Sequence, residues 1–466
     1  MSQNELRLAE LIGALSYALD ITEGQPAGHC VRCCFIGTRI GREIGLSEEA
    51  LRELYYTLLL KDIGCSSNAA RICELYMTDD IAFKRDFKWV DGSFPQVARF
   101  VLQHTGLGAG LLDKFKVLLS SLRTREEAAQ ELVSTRCQRG ASIARRLRFH
   151  ERVAQGIHSL DEQWNGKGRP DHLLGDAIPL YSRIALLAQV VDVFHTSGGP
   201  ATALAEARAR SGSWFDPMIV EAFGIAAADE EFWAALASPN LSELVFAEKA
   251  GLSEIAVDDD YLDAVAAAFG EVVDSKSPFT AGHSGRVALY SDLIAAELGV
   301  SAERRRWLYR GALLHDVGKL GVSNAILDKP GKLDAAEWDA VKKHAAYTEQ
   351  ILGRIPQFKE LSVVAAAHHE RLDGNGYPRG LTAEHIALET RIITTADIFD
   401  AITAVRPYRG ATPIDKALAI MAETVGTALD PACFTALKNV VLEIEIAASK
   451  PPPARKAGRS VPPRAA

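Results

Sequence analysis

Apolar residues recur at three- and four-residue steps along much of this chain, as at Val287, Tyr290, Ile294 and Leu298, the spacing that lays one apolar stripe along a helix. Gly299 stands where that helix should stop, and Ser301 where the next should be capped. Asp334-Ala335-Ala336-Glu337 has the order of a capping box, and Thr412-Pro413 sets a capping residue before a proline suited to a first helical turn. Strand-like alternation is scarce throughout. The pattern predicts an all-α chain of two helical bundles. Asp373-Gly374-Asn375-Gly376-Tyr377-Pro378 interrupts it: two glycines and a proline in six residues demand a turn.

The two bundles read as copies of one another. At an offset of 254 residues, Gly28-His29-x-x-Arg32 aligns with Gly282-His283-x-x-Arg286, and Leu60-Lys61-Asp62-Ile63-Gly64 with Leu314-His315-Asp316-Val317-Gly318. A second block aligns at 208, with Gly166-Lys167-Gly168-Arg169-Pro170 on Gly374-Asn375-Gly376-Tyr377-Pro378. The difference, 46 residues, places an insertion near 66–135 of the first copy. The expected organisation is a first bundle over 1–236, a linker over 237–258, a second bundle over 259–448 and a disordered tail over 449–466, where proline mixes with Lys and Arg.

At 466 residues, 48% hydrophobic and 24% charged, the chain suits two or three globular domains with sizeable cores. Its formal net charge of −8 gives no global footprint for a long nucleic acid, so an anionic substrate must be held by local cations or by metal. No apolar run reaches the roughly 18 residues that span a bilayer, and Met1-Ser2-Gln3-Asn4-Glu5 does not open like a signal peptide, so a cytoplasmic, membrane-free protein is expected. Seven cysteines without regular spacing fit a reducing compartment. Cys30, Cys33 and Cys34 lie close together, but no second cluster completes four ligands, and they read as plain thiols.

The chemistry concentrates in the second copy. His315-Asp316, His344, His368-His369 and Asp397 are imidazoles and carboxylates, a donor set that suits iron, manganese or zinc. Two such ions a few ångströms apart can deprotonate a water for attack on phosphorus, which suggests phosphoester hydrolysis.

Together with Gly282-His283-x-x-Arg286, His315-Asp316-Val317-Gly318-Lys319, His368-His369-Glu370, the loop at 373–378 and Arg406-Pro407-Tyr408-Arg409, this second copy resembles the HD-GYP family of cyclic-dinucleotide phosphodiesterases, a branch of the HD metal-dependent phosphohydrolases. The resemblance covers most of residues 270–440. It implies metal ligands at His283, His315, Asp316, His344, His368, His369 and Asp397, with Asp316 bridging two divalent ions, iron or manganese first and zinc, nickel or cobalt after them. It implies catalytic roles for Asp316 and Lys319 and substrate contacts from Lys319, Tyr377, Arg406 and Arg409. Lys319 lies four residues beyond His315, one helical turn. Phe279 stands where some members carry a third-metal glutamate, which favours two ions.

The activity so implied is hydrolysis of cyclic di-GMP to the linear dinucleotide and on toward GMP, by a metal-bound hydroxide. Alternatives are another cyclic dinucleotide such as cyclic GMP-AMP, another nucleotide, or a signalling adaptor in which catalysis is minor. A diguanylate cyclase or other signalling protein, or a second copy of the chain, is a possible partner.

The first copy has lost this chemistry. Lys61 replaces His315, Leu160 His368, Asp161 His369, Gln189 Asp397 and Cys65 Lys319. A lysine ammonium donates and carries positive charge, so it opposes a cation there. His29 and Asp62 survive but cannot build a two-metal centre. The first copy reads as a degenerate, non-catalytic domain, with packing partner and sensing or dimerisation both open as its role.

Overall fold

The computed structural model describes residues 8–90, 94–105, 125–247, 257–404, 410 and 412–449. Every regular element among them is helical, and the only β pairings are isolated bridges. The fold is all-α, two HD-type bundles in tandem.

In the first bundle α1 (Leu8–Thr22), α2 (His29–Glu43), α3 (Glu48–Leu60), α4 (Ala69–Tyr76), α5 (Asp80–Phe87) and α6 (Phe94–His104) are followed by α7 (Arg125–Arg146), α8 (Glu151–His158) and α9 (Leu180–Ala209). Helix α9 breaks at Gly199, whose φ of 75° and ψ of −173° precede Pro200, so it is two helices end to end. Then come α10 (Pro217–Ala226), α11 (Glu230–Leu236) and α12 (Leu241–Ala247). Residues 237–258 are expected as linker, but α12 lies within them. Its Leu241 and Val245 are buried and its Phe246 ring packs on Gly13, because the apolar i, i+4 pair needs a core to cover it.

The second bundle comprises α13 (Asp259–Asp274), α14 (His283–Glu297), α15 (Ala302–Leu314), α16 (Asn324–Leu327), α17 (Ala335–Leu352), α18 (Lys359–Ala366), α19 (Leu388–Thr403), α20 (Ile414–Ala422) and α21 (Pro431–Ser449). Ser301 caps α15 by accepting from Arg304 N at 3.3 Å, and Asp334 and Glu337 close the capping box of α17. Gly299, at φ 75°, ends the turn after α14. Pro413 is the cap residue of α20 rather than its first helical residue, so that helix starts one position later than Thr412-Pro413 suggests.

The repeat is visible in element boundaries. Helices α2 and α3 begin and end 254 residues before α14 and α15, and α8 lies 208 before α18. The offset changes between Gly64 and Arg136. A Cβ on Gly64 would fall 2.0 Å from Arg136 O, and one on Gly318 1.9 Å from His344 O, so both copies need glycine for the same close approach. The 46 extra residues therefore lie between these landmarks, where α4 to α6 build a small core of Ile72, Phe83, Val90 and Phe100.

One apolar core runs through both bundles. Polar contacts also cross between them: Tyr261 Oη donates to Leu147 O at 3.0 Å, and Ser66 Oγ to Val272 O at 2.8 Å. Asp80, buried at the start of α5, accepts from Ser323 Oγ at 3.1 Å and Asn324 N at 2.8 Å and pairs with Lys276 at 3.4 Å. No helix among the described residues is long and apolar enough to cross a membrane.

Candidate metal centre

His283 opens α14 after Gly282 in the left-handed conformation, φ 70°. Helix α15 ends at Leu314, so His315 is its C-cap and Asp316 follows outside it. Lys319 then lies on a tight 3-10 turn, Val317–Gly321, rather than one α-helical turn beyond His315. On that turn the Gly318 backbone abuts α17 at His344 and Thr348, leaving no room for a side chain. His344 comes from α17, His368 and His369 from just past α18, and Asp397 from the middle of α19. All seven expected ligand positions meet in one place.

The hydrogen bonds of the imidazoles explain why that place needs a cation. His315 Nδ1 lies 2.7 Å from Ala312 O, His344 Nδ1 2.6 Å from Val341 O and His368 Nδ1 2.7 Å from Ala365 O. A carbonyl only accepts, so each Nδ1 carries the proton and each Nε2 presents a lone pair. Those lone pairs converge. His344 Nε2 and His368 Nε2 face each other at 3.5 Å, and His315 Nε2 is buried with no hydrogen-bond partner, as is Asp316 Oδ1. Acceptors facing acceptors in a buried space are costly unless a positive group sits between them.

Asp316 divides the donors into two sets. Its Oδ2 lies 3.4 Å from His283 Nε2 and 3.3 Å from His315 Nε2, while its Oδ1 lies 3.6 Å from both His344 Nε2 and His368 Nε2. Asp397 Oδ1 joins the first set at 3.4 Å from His283 Nε2, and His369 joins the second beside His344 and His368. One carboxylate between two donor clusters is the geometry of a bridging ligand.

Sequence reasoning missed Asp400. Its carboxylate accepts from His283 Nδ1 at 2.7 Å and from Arg286 Nε at 2.5 Å, which aims His283 Nε2 inward. Carboxylates that orient a ligating histidine in this way raise its basicity. Burial pushes His283 toward the neutral form, but Asp316, Asp400 and Asp397 outweigh it and lift its pKa to about 9. On the other side, burial holds His344 down to about 3.

The remaining predicted residues frame this centre. Lys319 Nζ lies 2.5 Å from Asp316 Oδ2 with a quarter of its side chain exposed, at a small cleft of about 90 Å³ shared with His283, Phe279 and Lys276. Tyr377 stacks on His369, ring centroids 4.7 Å apart, and its N–H donates to His369 O at 3.2 Å. Glu370 staples the loop by accepting from Arg379 N at 2.7 Å and Leu381 N at 2.8 Å, while a Cβ on Gly376 would lie 2.4 Å from Arg371 N. Arg406 and Arg409 lie outside the described residues.

The first bundle keeps the frame and replaces the centre. His29 Nδ1 lies 2.6 Å from Asp192 Oδ2 and Arg32 Nε 2.5 Å from Asp192 Oδ1, the same relationship as His283, Arg286 and Asp400. Lys61, which is buried, donates to His29 Nε2 at 3.0 Å and pairs with Asp62. Arg136 stands in the place of His344 and pairs with Asp161, itself in the place of His369. Protein cations thus fill both halves of the old site. Burial and the Lys61 charge push His29 down to about 4. Cys30, Cys33 and Cys34 are buried and form no disulfide.

A family model described as "HD domain" matches residues 114–219 and 268–433, and the chain belongs to that family. Within it, the loop at 373–378 and the ligand order are those of the HD-GYP branch. The chain is 56% identical over 441 residues to a 3'3'-cGAMP-specific phosphodiesterase 3 of Vibrio cholerae, covering 95% of this chain and 96% of that one. It is 36% identical over 208 residues to the cyclic di-GMP phosphodiesterase response regulator RpfG of Xanthomonas campestris, covering 44% of this chain and 51% of that one. Among solved structures, the cyclic GMP-AMP phosphodiesterase V-cGAP3 of V. cholerae matches with a TM-score of 0.64 and 51% identity, over 94% of this chain and 98% of that one.

Proposed function

We propose that this chain is a metal-dependent phosphodiesterase that hydrolyses 3'3'-cyclic GMP-AMP to a linear dinucleotide. The convergence of four histidine Nε2 atoms on Asp316 supports the chemistry, and likeness across nearly the whole chain to a 3'3'-cGAMP-specific enzyme supports the substrate. Cyclic di-GMP is the second reading, favoured by relatives that match less than half of the chain.

Two divalent ions fit the donor sets, one held by His283, His315, Asp316 and Asp397 and the other by Asp316, His344, His368 and His369; when bound, they supply positive charge to the phosphodiester and acidify water. The chain's own residues do the rest. Asp400 fixes the direction of His283, Lys319 offers an ammonium at the cleft for a phosphate oxygen, and Tyr377 packs His369 in place from the loop that Glu370 fastens.

The test is turnover of 3'3'-cyclic GMP-AMP and cyclic di-GMP by purified chain loaded with iron or manganese, beside a His315→Ala, Asp316→Ala variant. Faster turnover of the mixed dinucleotide, absent in the variant, is the expected result. A preference for cyclic di-GMP overturns the substrate assignment, and turnover by the variant overturns the site.

A further inference from the structure

The degenerate bundle contains a cavity of about 350 Å³, several times larger than the cleft beside the metal centre. It occupies the place of the lost active site. Arg136, Asp161 and Gln189, 208 residues before His344, His369 and Asp397, form one side of it, and Cys65, 254 before Lys319, another. The helices between the two landmarks also line it, with Ile72, Tyr76, Phe83, Phe87 and Val101. The insertion that interrupts the repeat therefore supplies an apolar wall to this cavity.

The cavity opens to solvent past exposed residues such as Phe87, Glu126 and Lys167, so a small molecule can enter it. Its volume sits at the lower end of small-molecule sites, roughly 300–1,000 Å³. Its lining carries Lys84, Lys88, Arg136 and Arg169 beside Glu23, Glu126 and Asp161, with Lys167 exposed at its edge and Asp80 pairing with Lys84 at 3.7 Å. Those pairs also leave atoms unsatisfied. Lys88 Nζ stands 3.3 Å from Glu23 Oε2 without hydrogen-bond geometry, and Glu23 Oε1, 3.9 Å from Lys84 Nζ, and Arg169 Nε are buried without a hydrogen bond.

We infer that this cavity is a binding site for a small amphipathic anion, one carboxylate or phosphate head set against Lys88 and Arg136 with a short apolar or flat body against the inserted helices. Lys88 Nζ, buried without a hydrogen bond, selects the head, and the aromatic and aliphatic wall selects the body. The loss of metal ligands and the gain of the insertion are then one change, from a catalytic to a receiving pocket. The inference does not depend on which cyclic dinucleotide the second bundle cleaves.

The test is equilibrium binding of decanoate, GMP and inorganic phosphate to the full chain, with Lys88→Met and two cavity-filling variants, Ala129→Phe and Val133→Trp, whose folding is checked by circular dichroism. The expected result is saturable binding of decanoate or GMP. Removing the Lys88 charge should weaken it about tenfold or more, and whichever filler folds should abolish it. Decanoate binding assigns a carboxylate head and GMP binding a phosphate head. The inference is overturned if neither binds, if phosphate alone binds as tightly as either, or if binding persists unchanged in the variants, which would put it elsewhere on the chain.

Discussion

The ammonium of Lys61 stands 3.0 Å from His29 Nε2, the atom that its counterpart His283 turns toward Asp316 and Asp397. Because Lys61 also pairs with Asp62, the side chain supplies the positive charge that the buried carboxylate and imidazole require. In the first bundle the positive charge comes from within the chain.

Removing that charge should therefore be costly. Lys61→Met leaves Asp62 buried without its partner, and breaking one side of a buried ion pair typically costs about 3–5 kcal/mol. Urea unfolding should show a loss of that order, while metal content stays unchanged because the ligands lie in the other bundle. A fall in bound metal would contradict this division of labour.

Asp400 is a positioning residue, since it touches the ring of His283 and not the space where the Nε2 atoms meet. Asp400→Ala should weaken metal affinity about 10- to 100-fold, the usual cost of losing a partner behind a ligating histidine. Asp192→Ala, its counterpart in the first bundle, should leave metal affinity alone. Competition with a chromogenic chelator measures both, and equal effects would mean that the carboxylates act only through overall stability.

The seven candidate positions could be picked out because metal chemistry restricts donor types and keeps them in order, so His283 through Asp397 were read from motifs, and the structure brings them together. Asp400 was not, since a lone aspartate three residues past a ligand looks like helix surface. Its signal was present in the repeat: Asp192 and Asp400 agree at the 208 offset, whereas Gln189 and Asp397 do not. Arg136 stayed hidden because it lies where the offset changes, and only its contact with Gly64 locates it. The all-α bundles followed from helical periodicity, but α12 inside the expected linker did not, because a seven-residue helix carries too short a pattern. The cavity wall had no counterpart in the other copy to announce it.

Glu370 ties the loop after the metal centre through two backbone N–H groups. Glu370→Gln keeps one acceptor oxygen and turns the other into a donor facing an N–H, a mismatch worth about 1–3 kcal/mol. Tyr377 and His369 should then lose their fixed packing. The expected readout is a reduced turnover number and faster proteolysis within 371–385, with the helical circular dichroism unchanged; intact turnover would mean that the loop is held by other contacts.

Lys319 is the clearest separation of chemistry from metal binding. Its Nζ is 2.5 Å from Asp316 Oδ2, yet the side chain is partly exposed at the cleft, so it can meet an incoming phosphate as well as the carboxylate. An ammonium is not a metal ligand, and Lys319→Met should leave both donor clusters intact. If the charge stabilises the negative oxygens that develop as the phosphodiester is attacked, the turnover number should fall about 10²- to 10³-fold, as when one preorganised electrostatic contact is removed. KM should change much less, because the interaction strengthens only as charge develops. Metal analysis of the same preparation decides between the alternatives. Full metal with low turnover places Lys319 in the reaction itself, whereas loss of metal in proportion to activity would show that it serves only to hold Asp316 in place.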